Sequence, residues 1–387
     1  MAPLLTNTRP VSFAPPDLGE GELAEVCATL ASGWLSTGPR VHRFEREFAA
    51  YVGAPHALAL SSCTAGLHLA LLASDIGAGH EVITTPLTFC ATANVVVHAG
   101  ARPIFADIDE TTWNLDPAAT AAAITPHTRA IIPVHYAGRP VHMQAFEAIA
   151  RPQGIVLIED AAHCVEGVDA GRKVGAIGDF TCFSFYATKN LTTGEGGMVT
   201  TANGTAAERM RILSMHGIDR DAWSRYAPGG RSDYAVRMAG FKYNMMDLQA
   251  AIGLHQLARL RSMHARRAAI VARYDAALAD LPLVLPAPVP QGSVHGHHLY
   301  PVLVDPAIAA VTRDALQDSL RARGISTSVH FRALHLQPFY QERYAFARGM
   351  FPNAECVSDR TLSLPLSSAL TEADIDRVIE ALHECLS

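Results

Sequence analysis

A lysine acts as a nucleophile only where its ammonium is partly stripped of water, and the stretch FSFYATKNLTTGEGG, residues 183–197, places one in such a setting. Lys189 lies between an aromatic, strand-like run and a glycine-rich turn leading into a second strand-like run, 198–201. Desolvation lowers the pKa of an ammonium and frees its lone pair. The plainer alternative is a solvated loop charge, the usual state of a lysine. The glycines would let backbone approach a ligand closely. Ser184, at the end of the first run, offers a hydroxyl to a phosphate, or is an ordinary strand serine.

A second stretch, IVLIEDAAH over 155–163, is an apolar run ending in two carboxylates, Glu159 and Asp160. A strand-end acid often marks only the exit to solvent. Its chemical alternative is to face a ligand cation, such as the protonated pyridine nitrogen of pyridoxal 5′-phosphate (PLP). That ion pair keeps the ring an electron sink. Asp160, nearer the loop, is the better placed. In SSCTAGL, 61–67, small residues open a helix, where free N–H groups and the helix dipole attract an anion. A plain N-cap would look the same. In PLTFCATAN, 86–94, Phe89 follows a strand and could stack on a flat ring or fill the core.

These residues need a scaffold that brings strand ends together. From residue 56 to about 201, short apolar runs (56–62, 81–85, 102–107, 129–135, 155–160) alternate with helix-like segments such as 64–74 and 91–98. Such alternation predicts an α/β fold with a mostly parallel sheet flanked by helices. Ligands then bind beyond the carboxyl ends of the strands. A long helical pattern, 246–278, leads to a proline-rich segment, a strand-like run over 298–304, and helices over 312–323 and 372–386. The expected organisation is a large domain over 14–250, a smaller C-terminal α+β domain over 251–387, and an extended arm over 1–13.

The chain has 387 residues, 49% hydrophobic and 18% charged, an ordinary globular composition. A net charge of −6 argues against nucleic acid or an anionic membrane as partner. No secretory signal or membrane span is read. The seven scattered cysteines lack C-x-x-C spacing, which fits free thiols and a cytoplasmic setting. His295, His297 and His298 alternate across a strand-like run and do not gather on one side, so they are read as structural and no metal is expected.

Taken in order, SSCTAGL, PLTFCATAN, IVLIEDAAH and FSFYATKNLTTGEGG resemble the DegT/DnrJ/StrS aminotransferases, fold type I PLP enzymes that aminate sugars. The likeness extends to GWLSTGPRVHRFEREFAAYVG (33–53), MHGIDRDAWSRY (215–226), GFKYNMMDLQAAIGLHQLARL (240–260), VHFRALHLQPFY (329–340) and FPNAE (351–355). The resemblance implies that Lys189 holds PLP as a Schiff base and shuttles the proton, and that Asp160 pairs with the pyridine nitrogen. It implies that His163 sits by the phenolic oxygen and that Phe89 stacks on the ring. Thr64 and Ala65 backbone groups and the Ser184 hydroxyl would bind the phosphate. Asn244 would reach the phosphate from the partner subunit of a homodimer. Cys63 replaces a usual glycine, Gly66 an alanine, Ala333 a proline and Met246 a threonine. Relatives with histidine at the lysine position are dehydratases, so Lys189 favours transamination.

The implied reaction moves an amino group from L-glutamate to a ketosugar by ping-pong kinetics. HGIDRDAWSRY and VHFRALHLQPFY most resemble the branch that aminates C4 of UDP-linked 4-ketosugars. Arg220, Arg225, His330 and Arg332 would contact the nucleotide, or the arginines would form surface ion pairs. Alternatives are a dTDP-ketosugar, a keto-cyclitol of aminoglycoside-type synthesis, or a non-catalytic PLP-binding regulator. The intact Asp160–Lys189 pair argues against the last. A Rossmann oxidoreductase is disfavoured because SSCTAGL lacks G-x-G-x-x-G.

Overall fold

The apolar runs between residues 56 and 201 become strands of one sheet. In the structure, a computed structural model that describes residues 9–219 and 233–386, these are β1 (His56–Leu60), β2 (Glu81–Thr84), β3 (Arg102–Phe105), β4 (Thr128–Ile132) and β5 (Val156–Asp160). A small ribbon follows, β6 (Val168–Asp169) with β7 (Arg172–Lys173), and then β8 (Phe180–Ser184) and β9 (Gly197–Thr201) complete the sheet. Its order is β1-β9-β8-β5-β4-β2-β3. The pairs from β8 to β3 are parallel, while β9 runs antiparallel to both β1 and β8. The expectation of a mostly parallel sheet therefore stands. The antiparallel strand has a local cause: the connection from β8 to β9 carries no helix to make a crossover, so the chain returns beside the strand it left. Central strands such as β4 and β5 have helices on both faces, which is why they read as continuous apolar runs.

The helix Cys63–Ala73 follows β1 and is buried along almost its whole length, including Leu67, Leu69 and Leu71. Its N-terminus is fixed by two features. The Ser62 hydroxyl accepts from the Ala65 N–H at 3.1 Å. Gly197, the first residue of β9, runs so close that a Cβ there would collide with the backbone of Ser62 and Cys63. That glycine thus serves backbone-on-backbone packing rather than approach to a ligand. The unusual Gly66 also has a packing reason, since a Cβ would sit 3.3 Å from the Cys182 sulfur.

The helix Asp247–Ala277 leaves the sheet and crosses the helices Glu20–Ser32 and Pro39–Val52. The polar residues that interrupt its apolar pattern bind the N-terminal segment. Buried Gln256 donates to the Asp17 carbonyl and the Glu22 carboxylate, each at 2.7 Å, and Arg259 pairs with Asp17. A second, antiparallel sheet of β10 (Leu283–Val284), β11 (Tyr300–Val304) and β12 (Thr361–Leu364) shares an apolar cluster with the helices Arg313–Ala322 and Glu372–Leu386. Val11 lies fully buried in that cluster, its backbone paired around Ile325, so the described part of the N-terminal arm docks on the C-terminal third. The strand expected over 298–304 starts only at Tyr300. The N–H groups of His298 and Leu299 both donate to the Ala137 carbonyl at 3.1 Å, which draws these residues toward the main sheet.

Candidate active site

The carboxyl ends of the parallel strands open onto a cavity of about 660 Å³. β5 delivers Asp160, β8 delivers Ser184, and the loop between β8 and β9 delivers Lys189. That loop is closed on itself: the Phe185 N–H donates to the Gly196 carbonyl, and Thr193 N–H to the Phe185 carbonyl, both at 2.9 Å. The turn after β1 adds Ser62, Cys63 and Thr64, and the segment after β2 adds Phe89 and Thr92. From the C-terminal third come His298, His330 and Phe331, and from the N-terminal arm Phe13.

Strand alternation separates the two acids of β5. Glu159 is fully buried on the far side, accepting from Gly178 N–H at 2.8 Å and Thr181 Oγ1 at 2.7 Å, with His135 Nε2 at 3.0 Å. Asp160 faces the cavity and is 5% exposed. It accepts from Thr92 Oγ1 at 2.7 Å and from the Ala162 N–H at 3.2 Å. Burial pushes its pKa up, against those hydrogen bonds and the charge of Lys189. A buried carboxylate held mostly by neutral donors is short of a cation, and a protonated ring nitrogen would supply one. The Cys63 thiol lies 3.9 Å from Asp160 Oδ1. Burial, followed by the Asp160 charge, holds it far above the ordinary thiol range, so it stays protonated and acts as a weak donor.

Burial brings the Lys189 amine down to about 8, with the Asp160 charge opposing the fall. Its Nζ lies 3.4 Å from His298 Nε2. His163 is buried, and the Ala137 N–H donates to its Nδ1 at 3.3 Å. Burial and the Lys189 charge hold His163 well below the usual histidine range, so the neutral ring carries its proton on Nε2 and is a donor there. His330 is pushed down to about 3 by burial and Lys189, and its Nδ1 lies 2.9 Å from Ser363 Oγ.

Phe89 is 60% exposed and lines the cavity, which is not the setting of a core phenylalanine. The expected residues Lys189, Asp160, His163, Thr64, Ser184, Phe89 and His330 therefore meet around one space. Ala65 does not: it is buried, and its N–H is already given to Ser62. Asn244 is also outside the cavity, its Nδ2 donating to Thr37 Oγ1 at 2.7 Å. Arg332 lines a second pocket, also about 660 Å³, that shares Thr88, Phe89 and Phe331 with the first; it is exposed and forms no ion pair among the described residues. Arg220 and Arg225 lie outside the described residues.

Thr92 and His298 are among the cavity residues that the sequence reading does not assign to the site. Thr92 stands 68 positions from the acid it holds, and no local pattern links them. His298, whose alternating neighbours suggest a structural residue, touches Lys189 across 109 positions. Among the described residues no cluster suited to a metal is present.

Comparison with known proteins places this geometry in context. The pattern of the DegT/DnrJ/EryC1/StrS aminotransferase family matches residues 16–383. The chain is 49% identical over 373 residues to the spore coat polysaccharide biosynthesis protein SpsC of Bacillus subtilis, covering 96% of both chains. Spr1654 of Streptococcus pneumoniae, assigned as a sugar aminotransferase and solved in its PMP form, superposes with a TM-score of 0.91 at 32% identity, over 97% of this chain and 98% of that one. DesV of S. venezuelae, solved with a ketimine intermediate, gives 0.88 at 36% identity over 97% and 98%. The α/β architecture is thus that of the fold type I aminotransferases.

Proposed function

The chain belongs to the DegT/DnrJ/EryC1/StrS aminotransferase family, and from that premise we propose that it moves an amino group from L-glutamate to C4 of a UDP-linked 4-keto sugar with PLP as cofactor. The observation that carries the reading is the convergence of a buried acid, Asp160, and a depressed lysine, Lys189, on a cavity walled by the exposed ring of Phe89.

The residues present fit PLP. Asp160 would hold the ring nitrogen, Phe89 would stack on the ring, and the His163 Nε2–H would donate to the phenolic oxygen. Thr64 and the Ser184 hydroxyl would hold the phosphate at the positive end of the helix Cys63–Ala73. When bound, PLP supplies an electron sink for the electron pair left at the substrate carbon once its proton is removed. Lys189 Nζ takes that proton and returns it. With a pKa of about 8, the amine is available in both forms near neutral pH, as a proton carrier requires. Buried His163 and His298 and half-buried His330 exclude water from that side and, being neutral, leave the amine without a competing cation.

The sugar is supported by the relative named for polysaccharide biosynthesis and by the adjoining pocket, where Arg332, without an ion pair among the described residues, suits a diphosphate. Asn244 is proposed to complete the phosphate site of a second copy, making the enzyme a homodimer. A dTDP-ketosugar or a keto-cyclitol is the second reading. Among the described residues no helix is long and apolar enough to cross a membrane.

The test is a half-reaction. Protein loaded with PLP and given L-glutamate without acceptor should release one equivalent of 2-oxoglutarate per bound cofactor. Keto sugars carried on UDP and dTDP are then offered to the aminated enzyme. No 2-oxoglutarate from a folded, loaded protein would remove L-glutamate, and turnover with dTDP sugars alone would replace the UDP assignment.

A further inference from the structure

A polar chain, buried at its Arg267–Glu166 end, runs from the helix Asp247–Ala277 to Lys189. Arg267 forms an ion pair with Glu166, both side chains 3% exposed. The Glu166 oxygens accept from Asn190 Nδ2 at 3.0 and 2.9 Å, and the same nitrogen donates to the Gly296 carbonyl at 2.6 Å. Asn190 Oδ1 lies 3.1 Å from His298 Nδ1, and His298 Nε2 lies 3.4 Å from Lys189 Nζ.

The hydrogens along this chain follow by elimination. Arginine only donates and an ionised carboxylate only accepts. A flipped Asn190 would set its carbonyl oxygen against the Glu166 carboxylate and the Gly296 carbonyl, with no proton to share. Its amide NH₂ therefore faces them, and Oδ1 faces His298. Because Oδ1 only accepts, His298 Nδ1 carries the hydrogen. His298 is 4% exposed, and burial, followed by the Lys189 charge, keeps the ring neutral. Its Nε2 then presents a lone pair to the lysine.

The direction of that contact matters because a neutral amine has one lone pair. An Nε2–H would donate into it and block it. An Nε2 acceptor takes an amine hydrogen instead and leaves the lone pair free. We propose that Arg267, Glu166 and Asn190 lock the tautomer of His298, and that His298 is a positioning residue that holds Lys189 Nζ by a hydrogen while its lone pair stays open to the cavity. The inference rests on the reading of Lys189 as the cofactor lysine.

The test uses the full chain free of cofactor. Long-range proton–nitrogen correlation spectra of protein with ¹⁵N-labelled histidine rings read the tautomer, with His298 identified by its loss in H298Q. An Nδ1–H ring is expected, and an Nε2–H ring overturns the proposal. In parallel, Lys189 is acylated with acetic anhydride above pH 8 and the product quantified by peptide mass mapping. N190L removes the acceptor at Nδ1 and lets the ring take the Nε2–H form. Its acylation rate should fall about tenfold, the size of one neutral hydrogen bond that must break first. H298Q can give its NH₂ to Asn190 and its carbonyl to Lys189, so its rate should stay within about threefold of wild type. Equal rates in N190L and wild type, or an equal loss in both variants, overturn the lock. If N190L does not fold, the wild-type tautomer decides alone. Failure of wild type to capture PLP at Lys189 would instead remove the underlying reading, with the tautomer still measured.

Discussion

Lys189→Met replaces the amine with an apolar side chain of similar reach and separates the cost of the site from its use. In the cofactor-free protein, burial takes the Lys189 amine from its ordinary 10.5 to about 8. At about 1.4 kcal/mol per pH unit, keeping that amine protonated at neutral pH costs the fold about 3 kcal/mol. The variant also loses the contact with His298, worth about 1 kcal/mol, so the net gain at pH 7 should be about 2 kcal/mol. The pH dependence has a definite sign. The unfolded chain keeps its proton up to 10.5 while the folded chain releases it near 8, so between these values the unfolded state binds more protons and wild-type stability rises with pH. The cost is fully present below pH 8 and gone above 10.5. Urea unfolding of both proteins, cofactor-free, at steps from pH 7 to 10.5 measures this directly. The variant should be more stable at pH 7, the gap should close across the window, and covalent capture of PLP should be absent. A variant no more stable than wild type at pH 7, or a gap that does not narrow, would refute the claim that Lys189 is held in a desolvated pocket.

Asp160→Asn should lower turnover by about a hundredfold or more, because a neutral amide cannot stabilise a ring cation; it should also move the Lys189 midpoint below 8, since the Asp160 charge now raises it. Near-normal turnover would mean another group holds the ring nitrogen. Phe89→Ala should weaken PLP binding about three- to tenfold, the value of one aromatic stack, as measured by cofactor titration. Arg332→Ala should raise KM for the nucleotide sugar about tenfold and leave the L-glutamate half-reaction unchanged; equal effects on both halves would place Arg332 elsewhere. Asn244→Ala should speed PLP loss on dilution if the residue reaches a partner's site, and unchanged retention would exclude it.

Much of this protein is legible along the chain because its determinants are local. The βα alternation, the helix 372–386 and the strand-end position of Asp160 follow from hydrophobic period and chain order. Lys189 is legible because a lysine between an aromatic strand and GEGG is unusual in composition as well as in place. Contacts between distant segments are not encoded in any period. Chain position favours Asp160 over Glu159, but the physical reason, that Glu159 is engaged on the sheet's other face, required the tertiary structure, as did the role of Gly197 against the turn it packs on. Residues 298 and 299 read as part of a strand, yet the Ala137 carbonyl takes both of their N–H groups and turns His298 toward Lys189. The sequence specifies which groups can do chemistry. Tertiary structure decides which are desolvated together, and desolvation is what lowers the amine of Lys189, raises the carboxyl of Asp160 and keeps the surrounding histidines neutral.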